Sequence, residues 1–410
     1  MGPQKWICTM FTKTEFSLKL DEDLEDLRRI KGRCFSDEEY QKRWHKVTTN
    51  LEDTKLDSLI IYGAERAGSA IPWLTGWPVS AEALLIISLD SEAKLFVQYY
   101  NHTPQAKSTA YGASVSWGGP NTAQTMLNHL NQIKARKVGL IGKMSFEMMT
   151  SITEAGYLLT PLDSWYEKTR LIKTNAEIKC LKIGAYFSDL AVKSIYEKIE
   201  PNMTEHDLVS IAENSWLQLG GQAHIRYFIS TNIDKADGMV QRQKATSRAI
   251  TKDDLIVMEI SGAFRGYAGQ VLRSMSMRAK PASWVTEFHE VANSALNSIA
   301  SVLRSGCTMQ EILNAASIIE ESGLTTCDDL IHGFGGGYLP PILGSKSRPA
   351  GDIPDIKLQE GMAIVVQPNI TDSTGMRGVQ TGALFVISKE GALCLQKTPV
   401  GLLTAKSGFI

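Results

Sequence analysis

Residues 259–273 read Glu-Ile-Ser-Gly-Ala-Phe-Arg-Gly-Tyr-Ala-Gly-Gln-Val-Leu-Arg. Strand-like runs at 255–260 and 270–275 flank glycines at positions 262 and 266. Two such runs joined by a glycine-bearing connection predict an antiparallel hairpin. It is expected to turn through Gly262 and to return through Gly266 and Tyr267. The outgoing strand carries a single acid, Glu259, while the return carries a neutral amide, Gln270, and closes on Arg273.

Further runs at 227–230, 363–366 and 383–387 also read as strands, interrupted by helical patterns at 284–304 and 308–322. Upstream, a helical period runs from Asn175 towards Ile199 and stops before Pro201, and Thr204 caps the next helix. This predicts a larger α+β domain with an antiparallel sheet. Towards the N-terminus the pattern differs. Ser36 with three following acids opens a helix, and strands at 58–62, 83–89, 93–97 and 137–141 alternate with helices at 121–135 and 144–154. Residues 90–92 make a hairpin turn, and 71–77 interrupt the pattern. The expected division is a small α/β domain over 1–162 and the larger domain over 163–410.

Composition narrows the function classes. The 43 Lys and Arg nearly cancel the 44 Asp and Glu across 410 residues, so no basic field speaks for a nucleic-acid or membrane-surface partner. Six cysteines are scattered without ligand-like spacing and read as reduced thiols. No apolar run approaches the ~18 residues of a membrane span. Lys13, Glu15 and Lys19 interrupt any leader-like segment, and Trp6 spoils a myristoylation motif at Gly2. These features set the expectation of a cytoplasmic protein.

With these elements in order, the chain resembles the creatinase, prolidase and aminopeptidase P family, whose C-terminal domain has the pita-bread fold. Leu74-Thr-Gly76 resembles the family's N-domain motif. Arg170-Leu-Ile-Lys173 followed by Glu177-Ile178 is similar to the stretch that opens its catalytic domain. Thr204-Glu205, the 259–273 hairpin, His332-Gly-Phe-Gly335, Glu360-Gly-Met362 and Gln367-Pro368 follow in the family's order.

The family's metallohydrolases hold two divalent ions with two Asp, one His and two Glu. Carried across by position, the resemblance places Glu259 and Gln270 at the Asp positions, His332 at the His, and Gln367 at the first Glu. The last Glu falls at Gly382, with Gln380 as the alternative. Amide oxygens substitute weakly for carboxylates around a dication, so neither a two-metal site nor any cofactor is expected. Of two further family histidines, one aligns with Arg242 and the other with Leu339. Creatinase, a metal-free member, is not copied either, since its two carboxylates align with Leu272 and Gln367.

The resemblance then implies a metal-independent creatinase-like enzyme using His332 and Glu259 as an acid/base pair. Its substrate would be a small, polar, anionic molecule. The reaction would be C–N or amide hydrolysis, or a related lyase, cyclase or isomerase step. Arg242, Gln270, Gln367, Arg273, Tyr267, His224, Arg226, Gln380 and Trp73 are the candidate substrate contacts. The plainer readings are satisfied core polar groups, a structural ion pair at Arg273, packed tryptophans at 73 and 77, and a flexible turn at 335–338. Two alternatives remain open: a non-catalytic ligand-binding protein, and an Xaa-Pro-type metallopeptidase with an altered metal site. Family members pair as homodimers, and the same is expected here.

Overall fold

A computed structural model describes residues 18–65, 68–238 and 243–405. The chain divides into two compact units. One spans Arg29–Arg170, and the other takes Leu171 onward together with the helix Glu22–Arg28. The division therefore falls past the expected 162/163 boundary. The helix Asp163–Leu171 buries Tyr166 in the core of the smaller unit, and this carries the boundary to Arg170.

The smaller unit is a mixed six-stranded sheet. Its strands are β1 (Ser58–Ala64), β2 (Glu82–Ser88), β3 (Lys94–Val97), β4 (Ser114–Trp117), β5 (Lys137–Ile141) and β6 (Leu158–Pro161), in the order β4-β3-β2-β1-β5-β6. Alternation along β1 and β2 puts Leu59, Ile61, Leu85 and Ile87 into one core and Ile60, Leu84 and Ile86 into another. Both faces of the sheet are therefore covered. Ser36 caps the helix Asp37–Thr54 by accepting from the Glu39 amide. Residues 70–75 form a short helix, ended by Gly76 at φ 74°.

Three sheets build the larger unit. The first holds β7 (Gln222–Asn232), β8 (Asp254–Phe264) and β9 (Tyr267–Ser276). The second and third use β10 (Thr325–Thr326), β11 (Ile331–Phe334), β12 (Tyr338–Leu343), β13 (Ala363–Val366), β14 (Ile370–Thr371), β15 (Gly378–Val379), β16 (Ala383–Ile387) and β17 (Ala392–Cys394). A last strand, β18 (Leu403–Thr404), runs parallel beside β9. The orders are β18-β9-β8-β7, β12-β11-β13-β16-β17 and β10-β14-β15. A bridge between Leu272 and Gly382 ties β9 to the chain entering β16.

The predicted hairpin is β8–β9, and its turn is Arg265-Gly266, both residues at positive φ. Gly262 is not in the turn. It lies within β8 because the helix Asn175–Lys198 packs so closely that a Cβ there would lie 2.7 Å from the Phe187 Cβ. Gly269 opposes it in register, and a Cβ there would lie 2.2 Å from the Ala185 nitrogen. Thr174 starts this helix with a reciprocal capping box to Glu177.

Candidate active site

Register decides which hairpin side chains share a face. Ser261 opposes Gln270 and Glu259 opposes Leu272, so Glu259 and Gln270 project from the same side of β8–β9. There Gln270 Nε2 donates to Glu259 Oε1 at 2.7 Å and to Gln367 Oε1 at 3.0 Å. The Gln367 Nε2 in turn donates to the Asp329 carbonyl at 3.3 Å and approaches Asp328 Oδ2 at 3.5 Å. Reversing the Gln270 amide would set its oxygen against the Glu259 carboxylate, so Glu259 fixes its orientation. Both Gln270 amide protons are then committed, and among the described residues its Oε1 has no hydrogen-bond partner.

His332 joins the cluster from β11, which pairs with β13 just ahead of Gln367. Its Nδ1 faces the Gly333 carbonyl at 3.1 Å. A carbonyl only accepts, so the neutral ring carries its proton on Nδ1 and presents a lone pair at Nε2. Burial pushes the imidazole down to about 4, against smaller upward pulls from the Gly333 carbonyl, Asp328 and Gln367. The Tyr338 ring lies on His332 with centroids 4.0 Å apart and planes 22° apart. Phe334 meets His332 edge-on, and His224 meets Phe334 in the same way.

Two acids that the sequence reading passed over complete the site. The Asp329 carboxyl is pushed up to about 8, first by burial and then by the neighbouring Asp328 carboxylate, against a lowering hydrogen bond from the Tyr338 phenol. Burial and the same acids raise the Tyr338 phenol. The signal was a doublet of acids just before the His-Gly-x-Gly run. Adjacent acids usually read as a solvated turn, whereas here Asp329 is buried and Asp328 half-buried, with Gln367 and Tyr338 from other parts of the fold beside them.

Several expected contacts stand elsewhere. Tyr267 and Arg273 occupy the opposite hairpin face, since odd positions on β9 point to the helix Asn175–Lys198. The Tyr267 phenol donates to Glu177 at 2.7 Å. Arg273 is fully buried and forms no direct ion pair among the described residues. Its guanidinium donates to the carbonyls of Leu272, Gly382, Thr398 and Pro399 and to the Thr398 hydroxyl. Arg226 opposes Ile260, away from the Glu259 side, and pairs with Glu213 on the helix Glu205–Leu217. Trp73 is packed in the core of the smaller unit, edge-on to Tyr166.

Gln380 is fully buried beside Cys327, with its backbone tied to Ser274. Arg242 lies outside the described residues. The direct His332–Glu259 pair is replaced by an indirect one. Gln367 and Gln270 stand between them, and the carboxylate acting on the ring is Asp328.

The sequence model described as metallopeptidase family M24 matches residues 179–389, and the creatinase/prolidase N-terminal domain matches 43–172. The chain belongs to metallopeptidase family M24. An uncharacterised peptidase of Bacillus subtilis is 24% identical to this M24 chain, covering 81% of it and 92% of the relative. A Lactobacillus helveticus Xaa-Pro dipeptidase is 26% identical over 56% of the chain and 61% of the relative. Among solved structures, the Thermotoga maritima X-Pro aminopeptidase superposes with a TM-score of 0.76 at 19% identity, covering 88% of this chain and 99% of that one. A Bacillus anthracis Xaa-Pro dipeptidase superposes with a TM-score of 0.76 at 20% identity, covering 89% and 99%. The larger unit therefore has the pita-bread fold, preceded by the creatinase-type N-terminal domain.

The M24 name implies bound metal, and the residues of this M24 chain do not fit an ion pair. At the family's ligand positions they offer one carboxylate, one imidazole and two amides, and Gln270 protons already engage one oxygen each of Glu259 and Gln367. Charge neutralisation of two dications needs several carboxylates. At the fifth position, Gly382, a Cβ would lie 2.8 Å from the Val366 carbonyl and 2.7 Å from Leu272 Cδ1, so the backbone closes the space a glutamate would occupy. Among the described residues, no three His, Cys, Asp or Glu side chains converge as a metal site. No helix of the described residues is long and apolar enough to cross a membrane.

Proposed function

We propose that this M24 member acts on a small polar substrate by metal-independent acid/base chemistry, with a protonated Asp329 and a neutral His332 in the working roles. One observation carries the reading. The Gln270 amide protons fill the oxygens of Glu259 and Gln367, where the family's metal ligands would stand. Around that amide chain the two titratable groups are displaced in opposite directions, Asp329 up to about 8 and His332 down to about 4. At neutral pH one is an uncharged acid and the other an uncharged base, the separation that proton transfer requires. Glu259 holds Gln270, and Gln367 links Gln270 to His332, so the expected Glu259–His332 partnership becomes one of positioning. Hydrolysis of a C–N or amide bond is the reaction class, in keeping with the family's hydrolases.

The names of the relatives favour a second reading, a metal-dependent Xaa-Pro dipeptidase. Elemental analysis of untreated protein, followed by titration with Mn²⁺ and Zn²⁺, separates the two. The metal-free reading expects well under one ion per chain and no tight binding. Stoichiometric metal with hydrolysis of Xaa-Pro dipeptides would establish the second reading instead.

A further inference from the structure

His332, Gln270 and Gln367 are each 1% exposed, so no substrate reaches them until something moves. The group lying directly over His332 is Tyr338, itself 51% exposed and stacked on the imidazole. Its phenol sits close enough to the Asp329 carboxyl for each to shift the other's titration. Three glycines precede it, Gly335, Gly336 and Gly337, at φ 114°, 75° and 128°. Glycine adopts such angles freely and leaves them as freely. A Cβ at Gly337 would meet nothing within 4 Å, so that end of the run is unpacked.

We propose that Tyr338 is a lid standing in the substrate's place, its phenol giving Asp329 the hydrogen bond that a substrate N–H or O–H group gives once the ring swings out about Gly335–Gly337. The valences beneath the ring support this assignment. Asp329 Oδ2 and Gln270 Oε1 are buried oxygens without a hydrogen-bond partner among the described residues, and an unmet buried polar atom is costly. A ligand bearing a hydrogen-bond donor satisfies Gln270 Oε1, and one that also carries an acceptor receives the O–H of a neutral Asp329, whereas one that only accepts leaves Gln270 unmet. Asp329 is thus a substrate contact, and Tyr338 a residue that positions it and shields His332 from water. The inference uses the location of the site and not its metal-free chemistry, so it and the metal titration fail independently.

Diethyl pyrocarbonate acylates neutral imidazole, and peptide mapping reads the rate at each histidine of the full-length chain. Exposed His206 serves as the internal reference. The lid predicts that His332 reacts far more slowly than His206, and that Tyr338→Ala removes the protection. Tyr338→Phe keeps the ring but loses the phenol, and should speed His332 modification by up to about tenfold, the equivalent of one hydrogen bond. Asp329→Ala should match Tyr338→Phe, and the double variant should exceed neither. His332 equally protected in Tyr338→Ala would show that something else covers the site. Tyr338→Phe indistinguishable from the parent would remove the phenol's role and overturn the proposal, even if the alanine variant fails to fold.

Discussion

Gln270 donates to the Glu259 carboxylate across 2.7 Å, a contact between two side chains that would both face a cation in a metal-binding relative. The amide occupies one carboxylate oxygen with a hydrogen bond where an ion would bind it by charge. Restoring the acids should reverse this. Gln270→Asp combined with Gln367→Glu is expected to raise Mn²⁺ affinity by at least about tenfold, the change that outer-shell partners alone are worth. Isothermal titration calorimetry checks it, and an unchanged affinity would mean that the closed space at Gly382, not the amides, keeps metal out.

Asp329 and His332 give stability opposite dependences on pH. Asp329 holds its proton up to about 8 in the folded chain, whereas the unfolded carboxyl releases it near 4. Stability from this group is therefore present at low pH and lost as pH rises from about 4 to 8. His332, held down at about 4, contributes stability above its unfolded value near 6.5 that is lost as pH falls towards 4. Asparagine mimics a protonated aspartate, so Asp329→Asn should gain on the parent between about pH 5 and 8, by a few kcal/mol at most. Urea unfolding at the two pH values measures the gain. A difference that does not change with pH would contradict the raised carboxyl.

Arg273 should behave as a structural residue and not as a substrate contact. Its guanidinium links β9 to Thr398 and Pro399, and Thr398 in turn donates to buried Asp189. Arg273→Ala leaves several buried carbonyls without a donor and buried Asp189 without its nearby positive charge, so a loss of about 3–5 kcal/mol is expected. Denaturant melts test this. A variant of parental stability would return Arg273 to the list of binding residues.

The close seating of the hairpin on the helix Asn175–Lys198 predicts an intolerance to one methyl group. Gly269→Ala places a carbon 2.2 Å from the Ala185 nitrogen, and backbone cannot yield as a flexible side chain does. A cost at or above about 3 kcal/mol is expected. Gly266→Ala, at φ 83° in the open turn, should lose only the smaller penalty for a side chain in a left-handed conformation, roughly 1 kcal/mol. Thermal melts of the pair compare packing with backbone strain directly.

Much of this architecture was readable along the chain. The strands at 363–366 and 383–387, the cap at Thr204 and the hairpin itself follow from period and capping chemistry. Parity was readable too. Gln270 and Arg273 stand an odd number of residues apart on one strand, so they had to face opposite sides, although both had been assigned to the substrate. What could not be read is the burial of Asp329 beside a half-buried Asp328. Their environment is supplied by Gln367 from beyond β13 and Tyr338 from β12, and no local pattern announces which distant strand will cover an acid. The roles of Gly262 and Gly266 were likewise ambiguous. A glycine that relieves a turn and one that admits a helix look alike until the helix is in place.

The guanidinium of Arg273 also sets an order of events during synthesis. Its partners at Thr398 and Pro399 lie 125 and 126 residues further along the chain. The smaller unit has all its strands and its closing helix once Arg170 has emerged from the ribosome, so it can form while translation continues. The hairpin carrying Glu259 and Gln270 is made long before the residues that complete its rear wall, and until they arrive the charged side chain lacks the carbonyls of Gly382, Thr398 and Pro399. A pause in translation between these points would expose the larger unit with its central arginine unanswered, the stage at which a chaperone has most to hold.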